Sequence, residues 1–161
     1  HTIPLRHAPE RRVLPLERPG DERFVPPAAI FREVLATGFP LAPPACILSG
    51  GETTVTLKGK GKGGRNQEFS LAVALHIQGE DRVFFISGGT DGTDGPTDAA
   101  GAVVDGGTIA RARAENLDPS DFLRRNDSYH FFDALNDLIK TGPMHTDVMD
   151  LRMMLVGETD T

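Results

Sequence analysis

The chain has 161 residues, 39% of them hydrophobic and 25% charged, with a formal net charge of −6, which suits one domain with a real core and is too short for two ordinary ones. No run reaches the ~18 consecutive apolar residues of a membrane span, and 23 Asp and Glu against 17 Lys and Arg argue against a broad nucleic-acid-binding face. A single cysteine, Cys46, excludes an internal disulfide framework and a multi-cysteine metal site, and fits a reducing cytoplasm.

Residues 1–44 read as an extended arm or linker with one short helix. Prolines and arginines dominate up to position 26, with little periodicity. From Pro27 the apolar residues Ala29, Ile30, Val34 and Leu35 recur at helical spacing, and Gly38 stops them. The α/β domain proper is expected over 45–161. Ala45 to Leu48 predict a strand with Cys46 as inert core. Ser49-Gly50-Gly51 predict a turn, and the alternation from Thr53 to Lys58 predicts a second strand with one wet face. A helix starting near Asn66 and closing at Gly79 follows from Phe69, Leu71, Ala72, Leu75 and His76, the histidine near its apolar face. Val83 to Ile86 predict a strand buried on both faces.

Residues 87–98 are almost wholly Ser, Gly, Thr, Asp and Pro and predict a loop. Helices are expected at 107–115, at 119–125 with Asp118 or Ser120 as cap, and at 128–139 with Asp127 or Ser128 as cap. His130 reads as a packing residue beside Phe131 and Phe132. A strand pair over 147–149 and 151–156 completes an α/β fold with a mixed β-sheet in three layers.

Two loops carry candidate chemistry. Between Lys58 and Arg65 four of eight residues are basic: Lys58, Lys60, Lys62 and Arg65. The interleaved Gly59, Gly61, Gly63 and Gly64 can adopt positive φ and turn their N–H groups inward, next to the N-terminus of the following helix. Such a loop suits a phosphate or carboxylate, and Arg65 can grip either in a bidentate manner. The same glycines satisfy the spacing of a dinucleotide fingerprint and the glycine positions of a Walker A loop. Polar residues on alternate positions of the preceding strand weigh against the first, and Arg65-Asn66, where Lys and Ser or Thr are needed, against the second. A plain solvated turn is the remaining alternative.

In the second loop Asp91, Asp94 and Asp98 fall within eight residues. Carboxylates on a loop after a buried strand can hold Mg²⁺ and leave waters and phosphate oxygens to complete the octahedron. Turn formation explains the same residues without a metal.

The blocks Leu48-Ser49-Gly50-Gly51-Glu52-Thr53-Thr54-Val55-Thr56, Gly63-Gly64-Arg65-Asn66-Gln67-Glu68, Ser87 to Ala102, Asn126-Asp127-Ser128-Tyr129 and Thr141-Gly142-Pro143 followed by Thr146 to Leu151 together resemble the carboxy-terminal MOFRL domain of type 2 glycerate kinases, proteins often labelled hydroxypyruvate reductases. The resemblance spans about residues 45–156. It implies ATP-dependent, Mg²⁺-assisted phosphorylation of D-glycerate at its 2-hydroxyl, in a cleft shared with a larger amino-terminal α/β domain that supplies a lysine. Carried onto this sequence, it implies Arg65, Asp91 and Asp94 as catalytic. Lys60, Lys62, Gly63, Gly64, Asn66, Glu52 and Glu68 would bind substrate or phosphate, and Asp91, Asp94 and Asp98 the metal. With the partner domain missing, little turnover is expected from the chain alone. The rival readings are an NAD(P)H-dependent hydroxypyruvate reductase and a non-catalytic anion-binding or interaction module. A homo-oligomer is compatible with the sequence.

Overall fold

The computed structural model of the chain describes residues 27–52, 58–145 and 148–158, with positions 27 and 28 described as backbone only. The arm up to residue 26, most of the expected strand from Thr53, and Asp147 of the expected terminal pair lie outside those residues. In chain order the elements are α1 (Pro27–Thr37), β1 (Ala45–Gly51), α2 (Arg65–Ile77), β2 (Val83–Gly89), β3 (Gly101–Asp105), α3 (Thr108–Ala114), α4 (Pro119–Arg125), α5 (Ser128–Leu135), β4 (Leu138–Ile139) and β5 (Asp150–Val156).

The helices start and stop where local chemistry directs. Asp118 accepts the Ser120 N–H and Pro119 opens α4, while Asn126 ends it in the left-handed conformation. Asn136 ends α5 in the same way, four residues earlier than the periodicity predicts, which frees Leu138 and Ile139 to pair with β3. Gly38 follows α1 at φ +70°.

The α/β class holds, with two differences in detail. The strand order is β1-β5-β2-β3-β4, and every pairing among the described residues is antiparallel, where a mixed sheet was expected. β1 and β2, linked through α2, do run the same way, but β5 inserts between them and pairs antiparallel with both. The described residues also form two layers rather than three. Phe31 and Val34 of α1, Leu71, Ala74 and Ile77 of α2, Ile109 of α3, and Phe131 and Phe132 of α5 share one core with Val83, Phe85, Val104, Met154 and Val156 of the sheet.

Strand alternation puts Cys46, Leu48, Phe84, Ile86, Leu151 and Leu155 on the opposite face. Leu48 is 60% exposed and Leu151 49%, and Cys46 is exposed rather than core. β2 is accordingly buried on one face and half-buried on the other. Ser49 to Gly51 prolong β1 and pair with Arg152, Leu151 and Asp150 instead of turning. Ser87 to Gly89 likewise prolong β2. β3 is unannounced by the sequence because its first residues, Gly101 and Ala102, carry almost no side chain. The absence is required: a Cβ at Gly101 would run into the Ser87 carbonyl of the neighbouring strand. No helix among the described residues is long and apolar enough to cross a membrane.

Candidate active site

Both candidate loops meet at the N-terminus of α2, beyond the ends of β1 and β2 and at the start of β5. Asn66, the second residue of α2, ties the pieces together. Its backbone N–H donates to Asp94 Oδ1 (3.0 Å), its Nδ2 donates to Asp94 Oδ1 (3.2 Å) and Asp150 Oδ1 (2.9 Å), and its Oδ1 accepts from Ser87 Oγ (2.6 Å). One side chain thereby links a helix, two strands and the acidic loop. Asn66 and Ser87 are buried, so each of these bonds is costly to lose.

Asp94 is 3% exposed and also accepts the Gln67 N–H at 2.9 Å. It caps α2 across 28 residues of sequence and satisfies the helix N–H groups that the sequence assigns to an incoming phosphate. Burial raises its carboxyl above the usual range, against the pull of the Asn66 and Gln67 donors, and the charge of Asp150 adds to the rise. Asp91 accepts the N–H and hydroxyl of Thr93 at 2.9 Å each. Those bonds, with the charge of Arg65, hold it below the usual range.

Arg65 opens α2 and lies against two carboxylates. Its Nε and NH2 donate to Asp150 Oδ2 and Oδ1 at 2.7 and 3.0 Å, a bidentate fork. Its NH1 meets Glu52 Oε1 at 2.8 Å. The hydrogen bonds to Asp150 fix the guanidinium firmly in its charged form. Asp150 is 1% exposed, and the buried Arg152 guanidinium, which stacks over the Phe69 ring at 4.6 Å, stands 3.8 Å from the same Oδ2 that Arg65 Nε meets. The sequence reading passes over Asp150 as a site residue. Its signal was available, because positions 150 and 152 share strand parity with the buried Met154 and Val156, and two charges on a buried face require partners.

The basic loop differs from expectation. Lys58 and Gly59 donate their N–H groups to Asn126 Oδ1 (2.8 Å each), Gly61 donates to the Arg125 carbonyl (3.0 Å) and Lys62 to Asp127 Oδ1 (3.0 Å). These four groups bind the 125–127 segment and are not free to cradle a pyrophosphate, which weighs against the dinucleotide fingerprint. None of the loop's glycines has positive φ. Gly59 is required because a Cβ there would collide with the Arg125 carbonyl, and Gly64 because one would collide with the Asp94 carboxyl.

Lys60 is exposed, and the Lys62 ammonium sits 3.7 Å over the Tyr129 ring. Glu68, expected at the substrate, is buried and turned to Asn126 (3.4 Å). Burial pushes its carboxyl up, and donors from Ser128 and Asn126 oppose the rise. Gly63 passes close to Ser128 and Glu68.

Asp98 accepts the Tyr129 hydroxyl at 2.6 Å and pairs with Lys140 at 3.4 Å, partners it does not share with Asp91 or Asp94. The three aspartates serve three different partners, and among the described residues no three His, Cys, Asp or Glu side chains converge to hold a metal ion. The side chain of Asp127 does not cap α5 but takes the Lys62 N–H, Arg125 and His130. His130 and His76 are exposed rather than packed.

The MOFRL family model matches residues 45–150. The chain belongs to the MOFRL family. The MOFRL chain is 47% identical over 134 residues to a D-glycerate 2-kinase of Thermotoga maritima, covering 83% of this chain and 32% of that protein. It is 48% identical over 120 residues to a human glycerate kinase, covering 70% of this chain and 23% of the other. A relative in Agrobacterium vitis, provisionally named hydroxypyruvate reductase, is 46% identical over 132 residues, covering 81% and 34%. The crystal structure of a Thermotoga maritima glycerate kinase superposes on the MOFRL chain with a TM-score of 0.78 at 47% identity, over 80% of this chain and 31% of that one. The MOFRL chain therefore spans about a third or less of the length of these relatives.

Proposed function

We propose that this domain supplies the arginine-bearing wall of a glycerate 2-kinase active site, in which a phosphoryl group passes from ATP to the 2-hydroxyl of D-glycerate. The observation that carries the reading is the guanidinium of Arg65, fixed through two of its nitrogens by a buried carboxylate and held on its third only by the exposed Glu52. Phosphoryl transfer makes little covalent demand on a protein and depends on positioning and charge compensation. A preorganised guanidinium supplies both: it compensates charge on the transferred group or clamps the glycerate carboxylate, with little reorganisation at the moment of reaction. In this reading Asp91, held below the usual carboxylate range by Thr93 and the charge of Arg65, accepts a hydrogen bond from the substrate hydroxyl and orients it.

Asp94 acts indirectly by holding α2 and the acidic loop together. A Mg²⁺ ion does not fit the donor set of the described residues, because Asp94 is spent on the helix and Asp98 on Tyr129. No step is therefore routed through a metal held by these residues. Nucleotide phosphates and a second, amino-terminal domain are assigned the opposite side of the cleft, and the chain alone is expected to turn over little substrate.

The test is ADP release by the intact protein with ATP and D-glycerate, run beside hydroxypyruvate with NADH and NADPH. ADP formation with D-glycerate supports the kinase. Nicotinamide oxidation without ADP release would establish the reductase instead.

A further inference from the structure

The two carboxylates on Arg65 are of unequal standing. The Asp150 side chain has no exposed surface, it also accepts from Asn66, and releasing it would strand a buried charge. Glu52 lies just past the end of β1 with its side chain 60% exposed, and an exposed pair of this kind exchanges its partner for water at little cost. Nε and NH2 are committed to Asp150, so an anion approaching from solvent meets the guanidinium on the NH1 side, where Glu52 already stands.

We propose that Glu52 is a stand-in anion, occupying the position on Arg65 that negatively charged oxygens of the substrate take and leaving when they arrive, while Asp150 stays. The proposal rests on the Arg65 reading above and narrows it: the ligand that displaces Glu52 carries a carboxylate or phosphoryl oxygen. A neutral hydroxy compound offers nothing to replace the lost pair, so Glu52 selects for charge. With the site empty, it holds the exposed half of the guanidinium in the orientation that the incoming anion needs. This reverses the expectation that Glu52 binds substrate, because two like charges compete for one nitrogen.

The experiment compares wild type, Glu52→Gln and Arg65→Ala in the intact protein, by steady-state kinetics with varied D-glycerate and by calorimetric titration with inorganic phosphate. Removing the competitor in Glu52→Gln lowers KM for D-glycerate and Kd for phosphate roughly two- to fivefold, the range of one exposed ion pair, with the effect on KM rather than kcat. Arg65→Ala abolishes phosphate binding. Weaker binding in Glu52→Gln overturns the proposal and makes Glu52 a substrate contact. Unchanged binding overturns it as well, since the pair then has no consequence for the ligand. Wild-type kinetics in Arg65→Ala is a different failure, that of the arginine reading itself.

Discussion

Replacing Asp94 by Ala tests whether this aspartate is a structural cap or a metal ligand. The substitution removes the acceptor for two backbone N–H groups, those of Asn66 and Gln67, and for the Asn66 amide. Asn66 is 1% exposed and Gln67 0%, so bulk water does not reach the donors that lose their partner. Loss of a helix cap costs about 1 kcal/mol, and each stranded buried donor a further ~1–3 kcal/mol. The burial of the carboxylate, which raises its pKa, offsets part of that sum. The net expected cost is about 3–5 kcal/mol, a large share of the ~5–15 kcal/mol typical of a domain. With an m-value of about 2 kcal/mol/M, the urea midpoint falls by roughly 1.5–2.5 M. Asp94→Asn, which keeps one acceptor oxygen, costs about half as much. A midpoint within ~0.5 M of wild type for the Ala variant refutes the capping argument. An unaltered midpoint in Asp94→Asn, together with a raised Mg²⁺ requirement in the intact protein, would return the residue to the metal.

Three further outcomes follow from the same contacts. Glu68 has its carboxyl raised by burial, so the fold holds its proton more tightly than the unfolded chain does. The stability this contributes is present in full below about pH 4.3 and lost as pH rises through the raised value. Urea midpoints measured from pH 4 to 7.5 should therefore show Glu68→Gln gaining on wild type as pH rises, and a constant difference contradicts the assignment. Gly59→Ala forces a methyl group onto the Arg125 backbone, whose carbonyl is tied to Gly61, and should cost about 1–3 kcal/mol in chemical unfolding; a neutral result removes the close-approach argument. Phe85→Ala, in the core face of β2 at 1% exposure, should cost ~3–5 kcal/mol. Leu151→Ala on the uncovered face, 49% exposed, should cost under about 1 kcal/mol, and equal losses in the two would show that the outer face is covered.

The helices were legible because their signals are local. Pro119 beside Asp118, and Gly38 after α1, fix element ends by chemistry within a few residues. The misreadings share the opposite cause. Whether Gly59 and Gly61 frame a phosphate cradle or a packing contact depends on Arg125, Asn126 and Asp127, more than sixty residues away. Asp94 reads as a ligand in its own loop and becomes a cap only when α2 is brought to it. β3 was silent because Gly101 and Ala102 have nothing with which to form a pattern. Splitting β1 from β2 required knowing that β5 returns from the chain's end. The site followed the same division. Arg65 stands out by composition, whereas its partner Asp150 lies 85 residues away, at the head of a largely apolar strand.

The central claim is that the Arg65 guanidinium acts on the reacting groups. The most direct measurement is kcat for D-glycerate phosphorylation by the intact protein carrying Arg65→Lys or Arg65→Ala, alongside thermal unfolding of each variant. Loss of a preorganised charge-compensating donor predicts a fall in kcat of about 10²–10³ for Ala, with Lys recovering little because a single ammonium cannot keep the Asp150 fork and serve the substrate at once. A kcat within threefold of wild type in the folded Ala variant would contradict the account.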